Sequence, residues 1–341
     1  MKIEDNILSI AANYETIFVD VYGVLFDGVY LYDQTLATLS KLKKNGKKIV
    51  ILSNTSQVSS EAIAGYSRRG ILPKVHYDEF VTSGEFLHHM IKNHPDKFTQ
   101  IMGRKSESVK CLFIGNGSIF NETNISQTDV ADADFIYIGI PQASYGSVRM
   151  DDVWDSDGHK INLEDVLEKD WNDLQDSQGR KGFSEFANQL KNCHNLKKTL
   201  LLANPDVFAQ VSLEYSDKHM AIATQGTIGA YYEILGGKVV RFGKPYTGIF
   251  EYAKGLIDSP GSILMVGDTP WTDVSGANAC GFDSALVITT GVASEFLKKM
   301  NNNLSLDEKF KILFDRIAIK MPKANGSFTP THFLIRFADV G

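Results

Sequence analysis

What most constrains this chain is a set of short apolar runs, each closed by Gly, Asn, Asp or a turn and followed by a helical pattern. They are "TIFVDVYG", "KKIVILSN", "CLFIGNG", "FIYIGIP", "TLLLANP", "SILMVGD" and "SALVITTG". Runs that stay apolar, rather than alternating with polar residues, belong to strands covered on both faces. Their alternation with helices predicts a parallel α/β architecture. In such sheets ligands bind beyond the carboxyl ends of the strands, so the polar residues that close these runs are where chemistry is expected.

The length of 341 residues allows two domains, each with its own core. A formal net charge of −6, with no basic patch interleaved with aromatics, argues against nucleic acid as a partner. Runs such as "TLLLA" fall far short of the roughly 20 apolar residues that span a bilayer. Charged residues at Lys2, Glu4 and Asp5 leave no long apolar stretch at the start, so neither membrane attachment nor a signal peptide is expected, and the cytoplasm is the expected location. Cys111, Cys193 and Cys280 are odd in number and widely spaced, which suits reduced packing thiols. A homodimer is left open.

Three stretches carry partial motifs that read better as ordinary structure. Between Asp151 and Asp176 ten acidic residues face two lysines, a solvated insertion set at about 147–182. Inside it "VWDSDGHKINLE" resembles a calcium loop at Asp155, Asp157, Gly158 and Glu164, but Val153 holds the first ligand position and Lys160 the aliphatic one, so an acidic turn is expected. "HHMIKNH" lacks a carboxylate or cysteine partner at metal-ligand spacing and reads as a polar helix surface. "GNGS" lacks the third glycine of a nucleotide turn and reads as a strand-to-loop turn.

Four strand ends carry complementary groups: Asp20; Ser53 and Asn54; Lys244 in "RFGKP"; and Asp268 with Asp273 in "ILMVGDTPWTD". Singly, each passes for a helix cap or a turn. Jointly they meet the needs of metal-assisted phosphoryl transfer. One carboxylate can attack phosphorus, two more can hold a hard cation, and an ammonium, a hydroxyl and an amide can neutralise the phosphoryl oxygens.

The blocks "DVYGVLFDG", "LSNTS", "FVTSGEFL", "ADADFIYIG", "LLANPDVF", "QGTIGAYYEILGG", "GKPYTGIFEYA" and "VGDTPWTDVSGANACGF" resemble, in order, those of the haloacid dehalogenase-like hydrolases, in particular the class IIA branch of NagD-like sugar and nitrophenyl phosphatases. The acidic insertion and the tail after Lys299 are not covered. The resemblance implies a three-layer Rossmann-like core with a parallel sheet, from 1–105 and 238–341, and an inserted α/β cap of the C2 type from 106–237. It implies a phosphatase of small, sugar-phosphate-like esters that works through an aspartyl-phosphate, with Asp20 and Lys244 carrying the catalysis. Mg²⁺ would be held by Asp20, the backbone carbonyl of Tyr22, Asp268 and Asp273. Ser53, Asn54 and Lys244 would bind the phosphate. In the cap, Asn204 and Asp206 either contact substrate or form an Asx turn.

Tyr22 departs from the phosphatase pattern, which places there a second aspartate that protonates the leaving oxygen and then activates water. A phenol with an ordinary pKa of about 10 is a poor base near neutral pH, and losing general acid–base catalysis costs about 10²–10⁴-fold. Two alternatives follow: a phosphate-ester binding or sensing protein with weak turnover, and a dehalogenase, since dehalogenases of the superfamily also carry Tyr here. Asp27 and Asp33 are candidate substitutes for the missing acid.

Overall fold

The computed structural model describes residues 3–103, 109–114, 118–139, 190–206, 208–212, 219–320 and 326–340. The whole acidic insertion, with its calcium-like loop, and most of "GNGS" lie outside these residues. Two parallel sheets organise the chain. The larger has seven strands in the order β1-β14-β13-β12-β2-β3-β4. These are β1 (Ile3–Glu4), β2 (Thr16–Val19), β3 (Lys48–Ser53), β4 (Glu79–Thr82), β12 (Ile263–Gly267), β13 (Asp283–Val287) and β14 (His332–Leu334). Every pairing among them is parallel.

The apolar runs explain the burial. All four residues of β2 and all five of β12 are buried, as central strands of a doubly covered sheet must be. Successive side chains point to opposite faces. Ile17 and Val19 therefore join a core with Leu39 and Leu42 of α1 (Thr35–Lys44) and Ala62 and Tyr66 of α2 (Ser59–Ser67). Phe18 faces the other way, into a core with Ile249 and Phe250 of the helix Thr247–Gly255 and Ala277 of the helix Ser275–Ala279. Helices on both sheet faces make the three expected layers. The order runs outward from β2 through β3 to β4 on one side, and from β12 through β13 to β14 on the other. The switch between these directions falls between β2 and β12, which places a ligand crevice at their carboxyl ends.

The second sheet has the order β11-β8-β7-β5-β6, also parallel throughout. It comprises β5 (Val109–Ile114), β6 (Ile125–Gln127), β7 (Phe135–Ile138), β8 (Thr199–Leu202) and β11 (Lys238–Arg241), with an antiparallel pair, β9 (Phe208–Ser212) and β10 (His219–Ala223), beside it in the chain. Ile136, Ile138, Leu200 and Leu202 pack on Ile228, Tyr231 and Tyr232 of the helix Gln225–Ile234. Phe135, Tyr137 and Leu201 face the other way and share a core with α3 (Ser83–Asn93) and α4 (Pro95–Met102). The boundary read at residue 238 shifts: β11 pairs with β8 over all four of its residues, so Lys238–Arg241 belong to the second sheet and the chain returns to the first after them. The tail after Lys299, which the resemblance leaves uncovered, supplies the helix Leu306–Lys320 and then β14, inserted between β13 and β1.

All three cysteines are free thiols, with Cys111 and Cys193 buried. The histidines of α3 have ordinary protein partners. His88 Nδ1 lies 2.8 Å from Ile119 O, and His89 contacts Asn93 and stacks near Tyr252. Among the described residues no helix is long and apolar enough to cross a membrane.

Candidate active site

The strand ends at the switch point deliver the carboxylates. Asp20 N donates to Val266 O at 2.9 Å, carrying the β2–β12 ladder one residue past the strand and fixing the start of the loop. Asp268 follows β12 directly. Asp273 is returned to the same place by the wide turn Pro270–Val274, where Thr269 N donates to its Oδ2 at 3.1 Å. Ligand oxygens of Asp20, Asp268 and Asp273 all lie within 4.8 Å of one another. This is the one such group of potential metal ligands among the described residues. Asp268 and Asp273 are buried at 3% and 0% exposure, whereas the Asp20 side chain keeps 14%. Asp20 is thus the member that meets the crevice.

Lys244 sits under this cluster at 2% exposure, its Nζ 2.8 Å from Asp20 Oδ1 and 2.6 Å from Asp273 Oδ1. It also donates to Leu52 O at 3.1 Å. Burial alone would lower the lysine's pKa, but Asp20 and Asp273 outweigh it and the net movement is upward, so the ammonium is held charged. Burial pushes the Asp20 carboxyl up to about 7 against the pull of Lys244, with Asp273 adding to the rise. Burial, Asp273 and Asp20 drive Asp268 well above the ordinary carboxylate range. One ammonium for three packed carboxylates leaves the cluster short of positive charge.

Asp268 is seated by a backbone amide and a neighbouring hydroxyl. Val292 N donates to its Oδ2 at 2.6 Å and Thr269 Oγ1 to its Oδ1 at 3.0 Å. Gly291 (φ +64°) and Gly23 (φ +78°) press on the same carboxylate: a Cβ would fall 2.0 and 2.2 Å from Asp268 Oδ2, respectively. Only glycine combines a left-handed backbone with that approach. At the end of β3, Ser53 is buried and its Oγ accepts from Thr55 N at 3.3 Å. Asn54 grips the lysine backbone at both ends, with Lys244 N donating to its Oδ1 at 2.7 Å and its Nδ2 donating to Lys244 O at 3.0 Å. Ser83 Oγ supports that Oδ1 at 3.0 Å.

The donor set suits a hard divalent cation such as Mg²⁺, since every side chain in the group offers oxygen. Asp268 and Asp273 both accept hydrogen bonds at each oxygen, but the Lys244 ammonium pairs with Asp20 and Asp273, so Asp268 is the carboxylate of the group whose charge the lysine does not meet directly.

Tyr22 is half-buried, its ring edge-on to Phe26 at 5.4 Å. Burial raises its phenol, which pairs with Tyr66 and lies near Arg69. It is packed against the core of the α1–α2 face and is no base. The two suggested substitutes are not placed to serve. Asp27 Oδ1 accepts from Val29 N and Tyr30 N at 2.8 and 2.6 Å as the cap of a turn, and Asp33 is exposed. Asn204 forms an Asx turn, its Oδ1 accepting from Asp206 N at 2.9 Å. Asp206 does more: Asn54 Nδ2 donates to its Oδ1 at 2.8 Å, bringing a residue that follows β8 of the second sheet to the site at the end of the first.

Sequence reading missed Val292, Thr269 and Gln225, whose Nε2 donates to Ser56 Oγ at 2.9 Å. A backbone N–H leaves no residue-type signal, and Gln225 sits in a helix start that reads as a cap.

A profile of the haloacid dehalogenase-like hydrolase family matches residues 17–124, and a second, HAD-hydrolase-like profile matches 241–304. Together they take in half of the chain and all of the clustered residues except Asp206. The chain belongs to the haloacid dehalogenase-like hydrolases. Among solved structures, this hydrolase is similar to one of the haloacid dehalogenase-like family from Brucella suis 1330, with 19% identity, TM-score 0.64, and coverage of 98% of this chain and 100% of the other. A possible sugar phosphatase from Cytophaga hutchinsonii matches at 21% identity, TM-score 0.60 and 99% of both chains. A glycerol phosphate phosphatase from Mycobacterium tuberculosis, solved in complex with magnesium, matches at 19% identity and TM-score 0.54, over 84% of this chain and 72% of that one. No protein of curated function matches the hydrolase.

Proposed function

We propose that this hydrolase is a Mg²⁺-dependent phosphatase of a small, sugar-phosphate-like ester, working in the cytoplasm through an aspartyl-phosphate on Asp20. The observation that carries the reading is the convergence of Lys244 with Asp20, Asp268 and Asp273 at the switch between β2 and β12. Its structural similarity to a possible sugar phosphatase and to a glycerol phosphate phosphatase agrees with it.

In this reading Asp20, partly open to the crevice, attacks phosphorus in line with the leaving oxygen. Lys244 and the Ser53 hydroxyl hold the non-bridging oxygens, and Asn54 keeps the lysine in place through both of its backbone contacts. Asp20 and Asp268, with the Tyr22 carbonyl, would hold the cation, and Asp273 would fix Lys244. The metal supplies positive charge to a site whose one ammonium faces three carboxylates. Water then attacks the acyl phosphate and regenerates Asp20.

Nitrophenyl phosphate hydrolysis with and without Mg²⁺ tests this. Turnover should require the metal and fall to background in Asp20→Asn; activity indifferent to both would reject it. Tyr22 supports a second reading, a phosphate-ester binding protein with slow turnover, which rapid steady-state hydrolysis of any metabolite ester would eliminate. The three clustered carboxylates count against a dehalogenase, because halide displacement needs no cation; halide release from a 2-haloacid would restore that reading.

A further inference from the structure

We propose that Asp206, carried into the site by the second domain, is the acid–base residue of the reaction: it protonates the leaving oxygen and then deprotonates the attacking water. The assignment rests on the aspartyl-phosphate reading above. The loop after β2 offers no such group, because Tyr22 is packed beside Phe26 and Tyr66, Asp27 caps its own turn and Asp33 is exposed. Asp268 and Asp273 have both oxygens engaged. Asp206 is different. Its Oδ1 takes the Asn54 amide at 2.8 Å, its Oδ2 has no hydrogen-bond partner among the described residues, and the residue is only partly covered.

The backbone of Asp206 is held on both sides. Asp206 N bonds Asn204 Oδ1, and its carbonyl takes Gly226 N at 2.8 Å and the Thr224 hydroxyl. A Cβ on Gly226 would lie 2.3 Å from Asp206 O, so the first turn of the helix Gln225–Ile234 closes on the Asp206 backbone as only glycine permits. Gln225 links both domains by taking Asn204 N at 3.0 Å and donating to Ser56 Oγ at 2.9 Å. The amide that holds Asp206 belongs to the residue after Ser53 and also braces Lys244, whose Nζ is 2.8 Å from Asp20. Burial favours the protonated acid, only partly opposed by Lys244 and the Asn54 bond.

The balance closes over one cycle. The Asp20 oxygen–phosphorus bond forms as the ester oxygen–phosphorus bond breaks, and the Asp206 proton passes to the departing oxygen. Water then bonds to phosphorus and gives its proton to Asp206 as the Asp20 oxygen–phosphorus bond breaks. Phosphate leaves with Asp206 protonated again.

The test compares wild type, Asp206→Asn and Asp206→Glu, in saturating Mg²⁺, on glycerol phosphate and on nitrophenyl phosphate. Asp206→Asn should lower kcat/KM on glycerol phosphate by about 10²–10⁴-fold. The same ratio on nitrophenyl phosphate should change far less, because nitrophenol needs little protonation. With nitrophenyl phosphate the variant should release a burst of nitrophenol and then turn over slowly, with labelled phosphate trapped on the protein. Asp206→Glu, which keeps the carboxyl, should recover part of the loss on the alkyl ester. Equal losses on both esters without a burst would reduce Asp206 to a positioning residue, and unchanged kinetics would remove it; either overturns the proposal while leaving Asp20 chemistry intact. A wild type that hydrolyses neither ester would overturn the underlying reading with it.

Discussion

Asp206→Asn should make the protein more stable above pH 6 while it disables turnover. The Asp206 carboxyl is pushed from 3.8 up to about 6, mainly by burial, so the folded state keeps its proton through a range in which the unfolded chain has lost it. Where the folded state binds more protons, stability falls as pH rises. This group's contribution is therefore complete below pH 3.8 and lost as the pH climbs through about 6. A rise of that size corresponds to about 3 kcal/mol when fully expressed, of which about half has developed by pH 5. Asparagine removes the titration yet keeps an amide oxygen to accept from Asn54 Nδ2. Urea unfolding of both proteins at pH 5 and pH 8, without added metal, gives the comparison. The variant's advantage should grow by about 1.5 kcal/mol between the two pH values. Parallel stability curves would show that Asp206 is an ordinary exposed carboxylate and would refute the reasoning.

Three further outcomes are expected. Gly291→Ala drives a methyl to 2.0 Å from Asp268 Oδ2 at a left-handed backbone, so it should lower unfolding free energy by about 1–3 kcal/mol and raise the Mg²⁺ concentration needed for half-maximal turnover. Tyr22→Phe keeps the ring against Phe26 and loses the pairing with Tyr66, so denaturation should show a cost of about 1 kcal/mol and steady-state kinetics a change of no more than a few-fold. Lys244→Met strips the buried cluster of its one ammonium and should destabilise the metal-free protein by about 3–5 kcal/mol, measured in urea at pH 8, with a smaller loss at pH 5, where burial keeps Asp20 and Asp268 protonated.

The central strands were legible because β2, β3, β12 and β13 are fully or nearly fully buried, and burial on both faces imposes continuous apolar runs. The edges were not. β1 and β14 are two and three residues long and gain their pairing from each other and from β13, which no local pattern records. β11 reads as the opening of the next unit because its half-exposed "KVVR" lacks a buried run, and pairing with β8 assigns it elsewhere. In the site, Asp20 and Asp268 stood out because each ends an apolar strand, and the structure brings Asp273 and Lys244 to them. The reach of Asp206 to Asn54 was hidden, since it depends on how a loop after a strand of the second sheet meets the end of a strand of the first.

The covalent chemistry of Asp20 bears most directly on this account. Wild type should be incubated with substrate and Mg²⁺, quenched, reduced with borohydride and digested for mass spectrometry. Homoserine should appear at position 20, formed by reduction of an acyl phosphate and missing without substrate and in Asp20→Asn. Steady hydrolysis with no label at Asp20, or hydrolysis that survives Asp20→Asn, would contradict it.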